Sequence, residues 1–551
     1  MPKKKLSNQF IMSDAKFNST LNVDSLLNEL PYFPNDYDPL KDESVEDLLL
    51  NGHINTTYPE DGFIGFHSLK ICSTNAKQMA KYLELSMGFE EVAYRGLETN
   101  SRRLASHVVR NGKILFEIIN TLESVAEHYP TVPMSKEEAL SIKLDYSADE
   151  AHILKSLKEK IIKLTAEIVD ENLDRYKYAM DIKAAKENLE RSIINSTNYT
   201  AAISTIRKSI NECVETSKKA IQDNFESFLI QEFVKIHGEG VMDISFNVLD
   251  VDSAFQKAIE SGAYIIKLPQ TISDVHGSVK LATIAVPYTD IHHTLIQNID
   301  YSGPFLPNYT KSIIEKPETY MHQLESLPPI KLDCIDHCVE NYSWNQMMEH
   351  ARFYANIFGF HKYWSVDEKD VFTGETALKS IVMASSNGKV KMPINEPAKG
   401  RKKSQIEEFY DFNGGPGVQH IALKTNDIIS TVTSLRKRGI EFNPASQKYY
   451  DTLKQRLIND DIILKEDFNS IQNLNILVDY DPETRNNASK TCNYILQIFT
   501  KPLHDRPTLF IEIIQRRHHN GFGKGTFKGL FETIEAQQKL RGTLVSSDKA
   551  E

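Results

Sequence analysis

Three residues stand where a polar side chain is costly: His337 in CIDHCV, His420 in GVQHIAL and Glu512 in TLFIEII. Each lies in the middle of a short apolar run that reads as a β-strand, and a polar group facing a core from such a run must be satisfied by something. A single strand histidine reads as a hydrogen-bonded core residue. Two imidazoles and one carboxylate together make a different case, because they form the facial triad that holds Fe(II) in mononuclear non-haem oxygenases and leaves the other coordination positions open. Strand alternation adds to this reading. Residues two apart share a face, so Phe510 goes with Glu512, and Gln497 goes with Phe499 in YILQIFT. Two strands thus offer a polar group and an aromatic ring to one side, as a pocket for an aromatic substrate with a polar head requires.

The elements that must position these residues repeat along the chain. FHSLKICSTNAKQMAKYLELSMGFEEV, from Phe66, runs parallel to DHCVENYSWNQMMEHARFYANIFGFHKY, from Asp336, and GEGVMDISFNVLDVDSAFQKAIESGAYI, from Gly238, matches GPGVQHIALKTNDIISTVTSLRKRGIEF, from Gly415. Four strand–helix–strand modules therefore build two similar halves, each a curved sheet around one concavity. The comparison sets His67 opposite His337, Asp243 opposite His420 and Gln297 opposite Glu512. A neutral glutamine is a poor third ligand for a hard dication, so one metal per chain is expected, in the second half.

Between residues 134 and 236 the chain has neither Gly nor Pro, and Leu154, Leu157, Ile161, Leu164 and Ile168 recur at three- and four-residue steps. That is the seam of a helical hairpin or coiled coil. The spacing from His67 to Asp243 exceeds that from His337 to His420 by nearly the length of this stretch, so the helices interrupt the first half between its two modules. They read as a surface insertion, with an unknown interaction partner as the sharper alternative. Residues 1–61 are polar and acidic and read as a poorly ordered arm. The expected organisation is then 62–133 with 237–320 as an N-terminal domain without metal, 134–236 as the insertion, and 321–551 as the metal-binding domain.

A net charge of −11 and a pI near 5.9 argue against a nucleic-acid or anionic-membrane surface and favour a small-molecule substrate. Five scattered cysteines read as free thiols of a reducing compartment. With no long apolar segment, the expected location is the cytoplasm. The C-terminal GFGKGTF does not satisfy the phosphate-loop pattern. Its glycines instead suggest a hinge that lets a terminal helix close over a pocket with Phe522 and Phe527.

The runs KMPINEP, KSQIEEF, GGPGVQHIAL, QIFTKPLHDRPTLFIEIIQR and GFGKGTFKGLFETIE resemble the 4-hydroxyphenylpyruvate dioxygenase family of the vicinal-oxygen-chelate superfamily, over roughly residues 62–125 and 236–543. The resemblance implies an α+β fold of two half-domains, each made of paired βαβββ modules forming an open barrel, with a C-terminal lid helix. It implies Fe(II), one per chain, on His337, His420 and Glu512. It also implies Ser380, Asn395, Gln405 and Gln497 as polar residues of the reaction site, and Phe499, Phe510, Phe522, Phe527 and Gln419 as its walls. The substrates would be 4-hydroxyphenylpyruvate and O₂, the products homogentisate and CO₂, the pathway tyrosine and phenylalanine catabolism, and the assembly a homodimer. The long arm and the helical insertion have no match in the family pattern.

Three other readings remain. Hydroxymandelate synthase uses the same substrate and attacks the benzylic carbon; the phenylalanine set favours ring attack. A jelly-roll oxygenase could use His237, Glu239 and His293 as an HxE…H triad, but HGEG aligns with GGPG and so belongs to a turn before a strand. A metal-free scaffold with an interaction arm is opposed by the three intact ligand positions.

Overall fold

The structure, a computed structural model, describes residue 49 and residues 60–122, 226–311, 317–367, 372–523 and 527–546. Most of the arm and most of the helical insertion lie outside the described residues. Of the described chain, 95–105, 120–122 and 226–232 form one compact unit, held in part by an Arg95–Glu226 ion pair at 3.0 Å, and the remainder forms a second. Among the described residues no helix is long and apolar enough to cross a membrane.

Sixteen strands make two eight-stranded sheets among the described residues. The first sheet contains β1 (Phe63–Cys72), β2 (Glu90–Arg95), β3 (Leu104–Asn111), β4 (Ile114–Thr121), β5 (Gly240–Val248), β6 (Tyr264–Asp274), β7 (Gly277–Ala285) and β8 (His292–Asn298). The second contains β9 (Ile335–Asn341), β10 (His361–Val366), β11 (Ala377–Ala384), β12 (Lys391–Ala398), β13 (Gly417–Lys424), β14 (Leu477–Asp481), β15 (Asn493–Phe499) and β16 (Phe510–Arg517). Their orders, β2-β3-β4-β1-β5-β8-β7-β6 and β10-β11-β12-β9-β13-β16-β15-β14, are the same permutation. Each half is therefore two βαβββ modules joined along a central antiparallel pair, β1 with β5 and β9 with β13. β12 and β13 are connected through residues 399–416, whereas β4 and β5 are connected through 122–239, which is where the sequence places its insertion.

The module helices are α1 (Ala76–Met87), α3 (Val251–Glu260), α5 (Met347–Phe358) and α7 (Ile428–Lys437); α2 is the helical segment 226–237 that ends the insertion. Two are stopped by the Gly-Phe pairs that mark the repeat: Gly88 and Gly359 take φ of 69° and 71°, the left-handed cap that glycine adopts without strain. The other two start on Asp250 and Asp427, whose side chains accept from the backbone of Ser253 and Ser430. α4 (Glu318–Ser326) lies between the halves in sequence. α6 (Gln405–Asn413) begins with a Ser404/Glu407 capping box. The last module carries two additional helices, α8 (Gln447–Asn459) and α9 (Phe468–Asn473), and the chain's last described helix is α10 (Phe527–Arg541).

An aromatic seam joins the two sheets. Phe63 of β1 packs edge-on against Phe246, Phe358 and Phe360 at centroid distances of 4.9 to 5.6 Å. Such contacts fix one half on the other through non-directional burial, with ring geometry adding preference.

Candidate metal centre

His337 on β9, His420 on β13 and Glu512 on β16 come from three adjacent strands of the second sheet. β13 pairs antiparallel with β9 and parallel with β16, so Ala422 stands opposite both His337 and Glu512. The side chains converge: Glu512 Oε2 lies 3.2 Å from His337 Nε2 and 3.3 Å from His420 Nε2, and one ligand atom from each residue falls within 4.8 Å of the others. They are 3%, 9% and 2% exposed in the order His337, His420, Glu512. Among the described residues this is the only such cluster of three His, Cys, Asp or Glu side chains.

Two β-bulges prepare the imidazoles. Along the β9–β13 pair the register slips twice, leaving Gln419 of β13 and Asp336 of β9 without a cross-strand partner. A bulge re-aims side chains, and each of these residues contacts the ligand histidine next to it in sequence. Asp336 Oδ2 lies 2.8 Å from His337 Nδ1, and Gln419 Oε1 lies 2.9 Å from His420 Nδ1. Both oxygens can only accept, so both rings carry their proton on Nδ1 and present the Nε2 lone pair to the centre. This donor set fits a divalent cation: two neutral imidazole nitrogens, one carboxylate, buried, with tautomers fixed from outside.

The electrostatics point the same way. Burial disfavours the Glu512 charge, but the two histidines outweigh it and hold the carboxyl below its ordinary range. Burial pulls His337 down, and the carboxylates of Glu512 and Asp336 reverse that and raise it, whereas His420 stays lowered by burial. The Glu512 carboxylate thus raises the proton affinity of the His337 ring, and a dication bound between them would take over the charge compensation.

The walls follow the strand registers. Phe499 stands opposite Glu512, and Gln497 opposite Ile514, so the shared face expected from alternation is present. Phe510 stacks on His420 at 4.9 Å and 20°, with Phe499 edge-on to the same imidazole at 5.8 Å. Leu477, Phe499 and Phe510 form a buried cluster on which Ile534 of α10 packs. Ser380 and Asn395 are cross-strand partners, and Asn395 stands opposite Asn341, to which its amide donates at 3.1 Å. Gln419 also donates to Gln405 at 3.4 Å, linking the start of α6 to the second histidine. Gln405, Gln419 and Phe510 line a cleft of about 100 Å³ whose other walls include Ile534, Gln537 and Arg541 of α10. Phe522 lies 5.0 Å from the His337 ring. The side chain of Phe527, which opens α10, lies outside the described residues.

Sequence reasoning missed Asp336, Arg516 and Asn341. The signal for the first was present: a charge directly before a strand histidine, in a run that is otherwise apolar. His237, Glu239 and His293, the alternative triad, are occupied separately: His237 by the Asn413 carbonyl and Asp290, Glu239 by Ser73 and Thr74, His293 by the Ile244 carbonyl and Tyr354.

The first half corrects two alignments. Ser68, not His67, holds the position of His337: Ser68 pairs with Ser245 as His337 pairs with Ala422, and Ser73 N bonds Ile119 O as Tyr342 N bonds Asn395 O. His67 is the bulged counterpart of Asp336 and contacts Ser68 Oγ at 2.8 Å. Likewise Asp243 pairs with His292 as His420 pairs with Phe510, which puts Thr294, not Gln297, at the position of Glu512. Gln297 matches Gln515, and both accept from the first backbone N–H of a helix, Val251 and Ile428. Asp243 is held by Ser245 and Thr294 hydroxyls, each at 2.6 Å. One carboxylate already satisfied by two alcohols is a weaker cation site than the glutamine reading supposed.

The fold and the triad define a metalloenzyme of the vicinal-oxygen-chelate type. The family model described as "Glyoxalase/Bleomycin resistance protein/Dioxygenase superfamily" matches residues 335–461. The chain is 40% identical to a 4-hydroxyphenylpyruvate dioxygenase of Coccidioides posadasii over 474 residues, 86% of this chain and 92% of the relative. It is 41% identical to that of Neurospora crassa over 485 residues, 88% and 93%, and 44% identical to that of Dictyostelium discoideum over 308 residues, 56% and 80%. The chain belongs to the 4-hydroxyphenylpyruvate dioxygenase family. Among solved structures, an engineered variant of the 4-hydroxymandelate synthase of Streptomyces coelicolor matches with a TM-score of 0.57 at 21% identity, covering 87% of this chain and 99% of that one, which shows the shared fold.

Proposed function

We propose that the chain binds one Fe(II) at His337, His420 and Glu512 and converts 4-hydroxyphenylpyruvate and O₂ to homogentisate and CO₂ in tyrosine and phenylalanine catabolism. The observation that carries this reading is the convergence of two Nε2 lone pairs and one carboxylate from three strands, in a chain about 40% identical to dioxygenases of that name over most of its length. Bound Fe(II) supplies the electrons for O₂ activation and open coordination positions for an α-keto acid.

The protein's own residues position the substrate and keep water out. Phe499 and Phe510 form an aromatic wall beside His420 and hold the substrate ring by stacking and burial. Gln405 and Gln419 are buried amides that line the cleft, and Gln497, Asn395 and Ser380 are buried on strands of the same sheet. They supply the directional hydrogen bonds that fix the polar ends of the substrate. α10 covers the cleft through Ile534, anchored by Arg541 on Glu408. Excluding solvent there protects a reactive centre.

Loading the metal-free protein anaerobically with Fe(II) and 4-hydroxyphenylpyruvate, admitting O₂ and identifying the product tests the reading. Homogentisate is expected. 4-Hydroxymandelate as the main product would assign benzylic instead of ring chemistry, and no oxygen consumption would overturn the oxygenase reading.

A further inference from the structure

Arg516 has no part in the ligand set, yet it makes four hydrogen bonds from one guanidinium. Nε donates to Asp336 Oδ1 and Nη2 to Asp336 Oδ2, both at 2.8 Å, while Nη1 donates to the backbone carbonyls of His519 at 3.1 Å and Gly521 at 2.6 Å. We propose that Arg516 is a positioning residue that ties the first metal ligand to the turn leading into the C-terminal helix. Through Asp336 it orients the ring of His337, and through the two carbonyls it seats Phe522 against that ring.

The geometry leaves little slack in either direction. Asp336 is the bulged residue of β9, so no cross-strand partner fixes its side chain. What fixes it is the planar fork of Arg516, which takes both carboxylate oxygens and leaves Oδ2 to accept from His337 Nδ1 as well. Beyond the fork, the guanidinium carbon lies 5.1 Å from the Phe522 ring centre, and Phe522 lies edge-on to His337 at 5.0 Å and tilted on Trp364 at 5.5 Å. The path is closed: Arg516 reaches His337 once through Asp336 and once through the turn and Phe522. His518 and Gly523, on either side of the turn, both have positive φ, 57° and 83°. Arg516 braces the turn between them at the His519 and Gly521 carbonyls. A lysine offers one ammonium where four directed N–H groups are used, so it cannot hold both ends.

The inference rests on the metal reading of His337, His420 and Glu512, and the test separates the two. Co(II) serves as probe metal, titrated into the metal-free full chain against a competing chelator, with amide hydrogen exchange of residues 519–523 followed in the same samples. The parent should bind one Co(II) and the His337→Ala variant none; a parent that binds none overturns the metal reading itself. Arg516→Gln should weaken Co(II) about ten- to a hundredfold, the usual loss when an outer partner of a ligand is removed, and should speed exchange at 519–523. Asp336→Asn should weaken Co(II) by a similar factor while leaving exchange slow, because Arg516 keeps its carbonyls. The double variant should be no weaker than Arg516→Gln alone, as expected for residues acting as one unit. Should Arg516→Gln fail to fold, Arg516→Lys preserves the charge and should still lose at least half of the effect on a logarithmic scale. A lowered Tm with Co(II) affinity within twofold of the parent, or fully additive losses in the double variant, overturns the proposal.

Discussion

Glu340 carries a consequence for the way the two halves stay joined. It is fully buried on β9, and its carboxyl meets the Tyr342 hydroxyl at 2.7 Å and the Tyr354 hydroxyl at 2.8 Å. Tyr354 also lies 2.8 Å from Nε2 of His293, a residue of the other half whose Nδ1 contacts the Ile244 carbonyl at 3.1 Å. Because that carbonyl can only accept, the His293 proton sits on Nδ1 and Nε2 needs a donor. Tyr354 has one proton for two acceptors unless Glu340 is itself protonated, in which case the chain Glu340, Tyr354, His293, Ile244 is complete. Burial pushes the Glu340 carboxyl up to about 7 against its ordinary 4.5, in accord with the proton count. The folded state therefore binds a proton that the unfolded state releases. The stability this contributes is full below pH 4.5 and is lost as pH rises through 7, roughly 2.5 kcal/mol between pH 5 and pH 8. Glu340→Gln offers an amide of the same shape that does not titrate. Urea unfolding of parent and variant at both pH values should show their stability difference shifting by about 2.5 kcal/mol in the variant's favour at pH 8. A difference that stays constant within about 0.5 kcal/mol would refute the protonated carboxyl.

Phe510→Ala should lower kcat/KM for 4-hydroxyphenylpyruvate about ten- to a hundredfold, the burial of one aromatic face, with metal content unchanged. Replacing residues 140–220 by a short flexible linker should leave metal content and product yield intact, provided that 226–237 is kept, since Ile230 and Phe233 there are buried. A soluble deletion variant without activity would show that the inserted segment shapes the site. Asp243→Asn should keep one metal per chain, because Ser245 and Thr294 already satisfy that carboxylate; loss of the metal would place a second ion in the first half.

The triad was legible in the sequence because it violates strand patterning: three polar residues in apolar runs that a core tolerates only with a partner. The duplicated sheets were legible because the module pattern repeats almost intact. The first-half equivalences were not. Between Ser73 and α1 that module is two residues shorter than its counterpart, so an alignment anchored on the Gly-Phe helix cap shifts the strand by one or two positions, and a shift of one turns every side chain to the other face. Bulges are hidden for a related reason, since Asp336 and Gln419 differ from their neighbours only in lacking a cross-strand partner. Arg516 sits at a strand end, where a basic residue ordinarily reads as solvated, and only the fold reveals Asp336 beside it.

Metal stoichiometry across three single variants tests the central claim most directly. Protein purified anaerobically and reconstituted with Fe(II) should hold one iron per chain, and His337→Ala, His420→Ala and Glu512→Ala should each hold almost none while the far-ultraviolet circular dichroism of the chain is retained. Iron near one equivalent in any of the three folded variants would contradict the assignment of that residue as a ligand, and iron near one equivalent in all three would place the metal elsewhere.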